Sequence, residues 1–268
     1  AQTPGPYPSG LPVMSLLDRL FPTPSTSSIH GLVTRLFRSQ IELPEALAQR
    51  VRAWSALPGM DERTPLSQAR FVVVDVETSG LDARRDRLLA IGAVVVEAQR
   101  VLPGHGYEAF LRAATPSSRA NILVHGITPH AQRSGSAPEA ALMGFLEFAR
   151  RDLLVAFHAN FDRMMLDRAV RTQLGVRLSN PWIDVAQLAP ALVPEARLAN
   201  RPLDDWLGYF GLRAHVRHNA ASDAFATAEI MLILLARAAR QGLTSVSQLC
   251  AACERQQRLL PGGGVGGA

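Results

Sequence analysis

The stretch Phe71-Val-Val-Val-Asp75-Val-Glu77-Thr-Ser-Gly80 limits what this chain can become more than any other. Phe71 to Val74 are aromatic and β-branched and read as a buried strand. In a strand, residues i and i+2 point to one face, so Asp75 and Glu77 project side by side from its C-terminal end. Two parallel carboxylates at the edge of a buried sheet are costly unless a cation sits between them. Taken alone, an Asp-x-Glu pair is better explained as a solvated strand end.

Around that strand the pattern turns strand-rich and then alternates with helices. Residues 88–96 are expected as a second strand. Residues 107–111 form a third, reached through Pro103-Gly104-His105-Gly106, a turn signal. Short connections make these three antiparallel neighbours. A helix is expected over 137–150, a short buried strand at 153–157, a helix over 160–174 and a fifth strand at 182–185. Helices follow at 203–210 and 220–240. The fold class is therefore α/β, a mixed five-stranded sheet flanked by helices, over residues 69–242.

The flanks read differently. Residues 1–10 are a Pro/Gly-rich, disordered lead-in without the charged region or apolar core of a signal peptide. Residues 11–68 form a helical N-terminal extension and linker. Two look-alike amphipathic pieces, 16–21 and 32–37, either dock on a core or bind a protein partner. Pro44 opens a better helix with Leu47, Val51 and Trp54 along one face. Residues 243–268 hold one helix, 246–259, and a Gly-rich tail. Cys250 and Cys253 in that helix lack the further Cys or His of a zinc site and read as incidental.

Three more stretches carry acids or histidines at the edges of core elements. Phe157-His158-Ala-Asn160-Phe-Asp162 lies where the fourth strand gives way to a helix. His218-Asn-Ala-Ala-Ser222-Asp223 lies at the start of the last long helix. His125-Gly126-Ile127-Thr128 precedes the helix near residue 137. Singly, Asp162 and Asp223 are explained by the helix dipole. Together with Asp75 and Glu77 they converge on one rim of an α/β sheet. Four clustered carboxylates repel one another unless hard divalent cations such as Mg²⁺ or Mn²⁺ are bound. Two such ions, roughly 3.5–4 Å apart, support in-line displacement at phosphorus. His218, five residues before Asp223, is placed to swing over the site as general base.

These three motifs resemble those of the DEDDh (DnaQ-like) 3′–5′ exonucleases, the branch of the epsilon proofreading subunit of bacterial DNA polymerase III. Asp75-Val-Glu77-Thr-Ser-Gly80 is similar to the first motif, His158-Ala-Asn160-Phe-Asp162 to the second and His218 to Asp223 to the third. The tyrosine branch places its base four residues before the acid, where this chain has Asn219. The resemblance covers residues 70–242. It implies a ribonuclease H-like fold and removal of nucleoside 5′-monophosphates from a 3′ end. Asp75, Glu77, Asp162 and Asp223 are implied as ligands of two Mg²⁺ or Mn²⁺ ions, and His218 as general base. Thr78, Gly80, Leu81, His125, Thr128 and Asn160 are implied beside the terminal nucleotide. Asp184 has a family-like setting and reads as structural.

Composition bears on the partner. All 28 basic residues are Arg, the net charge is +5 and the pI is about 10.1. Any phosphate contact must therefore be an Arg fork or a backbone amide, and Arg84, Arg85, Arg87 and Arg217 flank the motifs. Two cysteines make no disulfide framework, so a reducing, cytoplasmic setting is expected, and no apolar run is long enough to span a membrane. The expected activity is metal-dependent 3′–5′ hydrolysis of single-stranded or frayed DNA ends. The alternatives are an RNase T-like or oligoribonuclease-like enzyme on RNA 3′ ends, and a replication or repair adaptor acting through residues 11–68.

Overall fold

The computed structural model describes residues 42–259. The predicted pieces at 16–21 and 32–37, the lead-in and the Gly-rich end lie outside them. Five strands form one sheet: β1 (Arg70–Thr78), β2 (Leu88–Glu97), β3 (Arg100–Phe110), β4 (Leu153–Ala156) and β5 (Trp182–Asp184). Their order is β3-β2-β1-β4-β5. β1 pairs antiparallel with β2 and parallel with β4, β2 pairs antiparallel with β3, and β4 pairs parallel with β5. β1 is thus central, and its C-terminal end shares a rim with that of β4. The mixed five-stranded sheet flanked by helices is the one expected from the residue pattern.

Alternation along β1 divides the core. Phe71 and Val73 face one layer, built from α6 (Val185–Leu192), α7 (Leu203–Phe210), α8 (Ala220–Arg240) and α9 (Val246–Leu259). Val72, Val74 and Val76 face the other, built from α4 (Pro138–Ala149) and α5 (Ala159–Leu174), with α1 (Glu45–Ser55) packed outside α4. Val51 and Trp54 of α1 are buried, and Arg50 is paired with Glu147 of α4. This part of the N-terminal extension is committed to the domain. The segment before β1 also pairs with the one before α9, through Leu66 N–H to Thr244 O and Val246 N–H to Thr64 O. Among the described residues no helix is long and apolar enough to cross a membrane.

Two local readings need correction. The β2–β3 turn is Ala98-Gln99, both at positive φ, in a two-residue hairpin between Glu97 and Arg100. Primed turns of that kind match strand twist, but neither residue is a turn signal. Pro103-Gly104-His105-Gly106 lies inside β3, where Val94 faces Gly106 while Val95 faces Leu102. Those residues bulge from an edge strand, and both edges and bulges tolerate Pro. In addition, α2 (Arg119–His125), α3 (Pro129–Ser134) and α6 were not foreseen. The first two are short and capped by Ser118 and Thr128, with Gly126 left-handed between them.

Gly92 sets the spacing of the α8 layer. It pairs with Asp75 across β1 and β2, and a Cβ there would lie on the backbone of Ala220 and Ala221 at the start of α8. The missing side chain lets α8 touch the sheet, one turn before Asp223. Backbone cannot yield as a flexible side chain can, so Gly92→Ala is expected to destabilise the protein by about 1–3 kcal/mol and to push Asp223 away from β1. Urea unfolding checks this; an unchanged midpoint contradicts the close contact.

Candidate active site

Asp75 and Glu77 continue the α8-facing side of β1. Asp223, in the first turn of α8, meets them there: one carboxylate oxygen from each of the three lies within 4.8 Å of the others. Asp162, in the first turn of α5, is buried alongside. It stands outside that three-membered set, yet its charge acts on Asp75.

Burial and mutual repulsion dominate the electrostatics. Burial, then the charges of Asp162, Glu77 and Asp223, raise Asp75 well above the usual carboxylate range, against the pull of Arg217. Burial, and then Asp223, push Glu77 from 4.5 to about 7. Burial also raises Asp162 strongly, with hydrogen bonds from the amides of Asp162 and Val76 opposing it. An all-oxygen, buried and mutually repelling donor set suits a hard divalent cation. Asp75, Glu77 and Asp223 would hold it, with Asp162 beside them.

The acids are held by capping. Asn219 caps α8 by accepting from Ser222 N–H at 3.0 Å, and Ser222 Oγ accepts from Val216 N–H at 3.0 Å. His218, left-handed at φ 57°, donates its backbone N–H to Asp223 Oδ2 at 3.0 Å and leaves its ring exposed at the rim. On the other side Asp184 caps α6. Its Oδ1 accepts from Ala186 N–H and from His158 N–H, both at 2.9 Å. His158 is itself left-handed, so Asp184 pins the β4–α5 junction that delivers Asp162.

Arg217, expected as a phosphate contact, turns inward instead. Its Nε bonds Asp204 Oδ1 at 2.7 Å and its Nη1 pairs with Asp223. Arg84, Arg85 and Arg87 stay exposed on the loop after β1.

The remaining expected residues divide into two places. His125 and Thr128 line a cleft of about 430 Å³ together with Phe110, Leu123, Val216 and His218. Thr78, Gly80, Leu81 and Asn160 do not line it. The His125 ring is buried: Nδ1 accepts from Ile127 N–H at 2.9 Å, and Nε2 lies 3.2 Å from Ser117 Oγ. An accepting Nδ1 makes this the neutral tautomer with the proton on Nε2. Gln132 completes the network by donating to Ser117 Oγ and Ile127 O. His125 therefore shapes the cleft wall from within. Thr78 is buried and donates to Gly80 O at 2.6 Å, Leu81 is 90% exposed, and Asn160 is exposed on the first turn of α5.

Sequence reasoning missed Gly92, Asp86 and Ser117. A lone glycine inside an apolar strand is a known sign of close backbone approach and was available. Asp86 accepts from Ser79 Oγ and Asp82 N–H and lies under Gly80. Nothing in its charged loop sets it apart from its neighbours.

A Glu77 carboxyl raised in the folded state binds protons that the unfolded chain has released between pH 4.5 and about 7. Stability of the protein in EDTA should then fall as pH rises through that window, and Glu77→Gln should flatten the fall. Thermal unfolding at several pH values checks it. An equally steep fall in the variant would contradict the assignment.

Comparison with known proteins gives the family and the fold. The sequence profile of the RNase T exonuclease family matches residues 72–231. The DNA polymerase III PolC-type of Thermotoga maritima is 29% identical over 190 residues, covering 71% of this chain and 14% of that protein. A DNA polymerase III subunit epsilon-like protein of Rhodobacter capsulatus is 32% identical over 202 residues, 74% of this chain and 28% of that one. The chain thus spans a small part of these relatives' length. Among solved structures, E. coli exonuclease I with a dT13 oligonucleotide superposes with TM-score 0.56 at 20% identity, over 65% of this chain and 43% of that one. Exonuclease X with 5′ overhanging duplex DNA gives 0.54 at 20% identity, over 68% and 99%. With its three acidic motifs on this sheet, the chain belongs to the exonuclease family, among the DEDD-type nucleases.

Proposed function

We propose that this chain degrades DNA from the 3′ end, releasing nucleoside 5′-monophosphates, with Mg²⁺ or Mn²⁺ held by Asp75, Glu77 and Asp223 and with Asp162 beside them. The observation that carries the reading is the meeting of three carboxylates within 4.8 Å at the rim where the His218 ring stands exposed. Two bound ions would polarise the phosphodiester and favour ionisation of the attacking water.

The chain's own residues supply the rest. An imidazole nitrogen of His218 takes a proton from the attacking water; the residue is exposed at the rim and tied to Asp223 through its backbone N–H. The bond from phosphorus to the 3′-oxygen of the preceding nucleotide breaks, that oxygen takes up a proton from water to become a 3′-hydroxyl, and the phosphate stays on the released nucleotide. Exposed Leu123, Val124 and Val216 at the cleft offer apolar surface to the terminal base. Exposed Leu81, on the loop that follows β1, offers a further apolar contact to the terminal nucleotide. DNA is favoured over RNA because the named relatives are DNA polymerase proteins and the solved neighbours hold DNA. The same relatives make a polymerase the natural protein partner.

On a 5′-labelled single strand we expect a metal-dependent ladder that EDTA abolishes. His218→Ala is expected to slow it by about 10²–10⁴-fold, and Asp75→Ala to remove it. No ladder with either metal, or an undiminished ladder in both variants, overturns the mechanism. Faster digestion of a matched RNA strand would move the substrate to RNA.

A further inference from the structure

The domain has a second hollow, on the opposite face of the sheet from the carboxylates. It is a groove of about 480 Å³ bounded by Arg85 and Arg87 of the loop after β1, Arg112 after β3, and Arg168 of α5. Its floor is apolar, including Leu88 and Leu142. The neighbours Phe110 and Leu111 at the end of β3 line the cleft and this groove respectively. The two hollows therefore lie back to back, and the loop that follows Glu77 leads from the carboxylate-bearing end of β1 to Arg85 and Arg87 of the groove.

The charge balance of the groove is one-sided. Its single carboxylate, Asp86, is turned into its own loop, accepting from Ser79 Oγ at 2.9 Å and Asp82 N–H at 2.8 Å. Arg112 Nε donates to Gly135 O and Arg168 Nη2 to Asp86 O. These bonds orient both guanidiniums while leaving most of their five donors over. Among the described residues, Arg87, Arg112 and Arg168 have no carboxylate at ion-pair distance. Arg85 makes one long contact with Asp82, at 3.8 Å. Oriented guanidinium forks match phosphate oxygens bidentately.

We infer that this groove holds the phosphate backbone of the nucleic acid several nucleotides away from the 3′ end being cut. The inference rests on the nuclease reading above for its ligand class. It adds that the protein grips a strand beyond its reacting end and that Arg112 and Arg168 are part of the grip.

Binding of a dodecamer and a trimer single strand, measured in EDTA against salt, tests it in the unmodified protein. If about three extra phosphates are neutralised, the dodecamer's log–log salt slope is steeper by about 2. Equal slopes overturn the inference. The double variant Arg112→Gln/Arg168→Gln should flatten the dodecamer slope and weaken its binding by about 10-fold, with trimer binding unchanged. Arg112→Lys/Arg168→Lys should keep the slope. Hydrolysis of the p-nitrophenyl ester of thymidine 5′-monophosphate, too short to reach the groove, should be unchanged in the Gln pair. Loss of that hydrolysis together with dodecamer binding would show a structural role and sink the proposal. Wild-type dodecamer binding by the Gln pair, with an acidic peptide displaced instead, would do the same. Failure of the ester reaction in the unmodified protein would count against the nuclease reading alone.

Discussion

Like charges crowded at the end of a buried strand are the constraint around which this protein is built. Asp75, Glu77 and Asp223 lie within 4.8 Å of one another, and Asp162 is close enough for its charge to act on Asp75. Each is partly or wholly out of water, so each makes its neighbours harder to ionise. Such a cluster spreads apart unless its backbone is held. The central place of β1, paired on both edges, holds two members. The other two arrive on helix first turns, fixed by caps at Asn219 and by Asp184 acting through His158. The cost of the cluster is offset by the apolar layers on both faces, where each fully buried large side chain contributes roughly 1.5–3 kcal/mol.

Gly92 shows how narrow the margin is. A glycine in the interior of a strand weakens it slightly, yet here it admits the backbone of α8 to the sheet surface. That contact sets how far Asp223 stands from Asp75, its neighbour across the hairpin pair. Arg217 then reaches over from Asp204 to Asp223, placing a fixed positive charge among the acids. Chemistry, helix spacing and charge balance depend on the same few residues at the start of α8.

The two faces of the sheet carry different surfaces. The α8 face carries the acids and, at its edge, the cleft walled by Leu123, His125 and Val216. The α4–α5 face carries the arginine-lined groove. The loop from Ser79 to Arg87 leaves the acid-bearing end of β1 and borders the groove, braced by Asp86 and by Thr78 bonding to Gly80. Arg84, Arg85 and Arg87 of that loop are legible in the sequence only as basic residues near a motif.

Local pattern carried much of this protein. The Phe71–Val74 run, the acids spaced by one residue, and the long helix from Ala220 to Arg240 follow from periodicity, side-chain branching and capping. These signals act over a few residues and survive without tertiary context. The same local logic misread Pro103–Gly106 as a turn, because an edge strand can bulge around a proline while a plain Ala-Gln pair makes the hairpin. The sequence by itself determined the mixed α/β class, the acids that meet at the end of β1 with the histidine beside them, and the arginine-only basic surface. Tertiary structure alone decided that Arg217 faces inward, that His125 is a buried strut, that Gly92 meters the approach of α8, and that four arginines from three separate segments share one groove. Those outcomes depend on which distant backbones meet, and residue type does not encode that one position at a time.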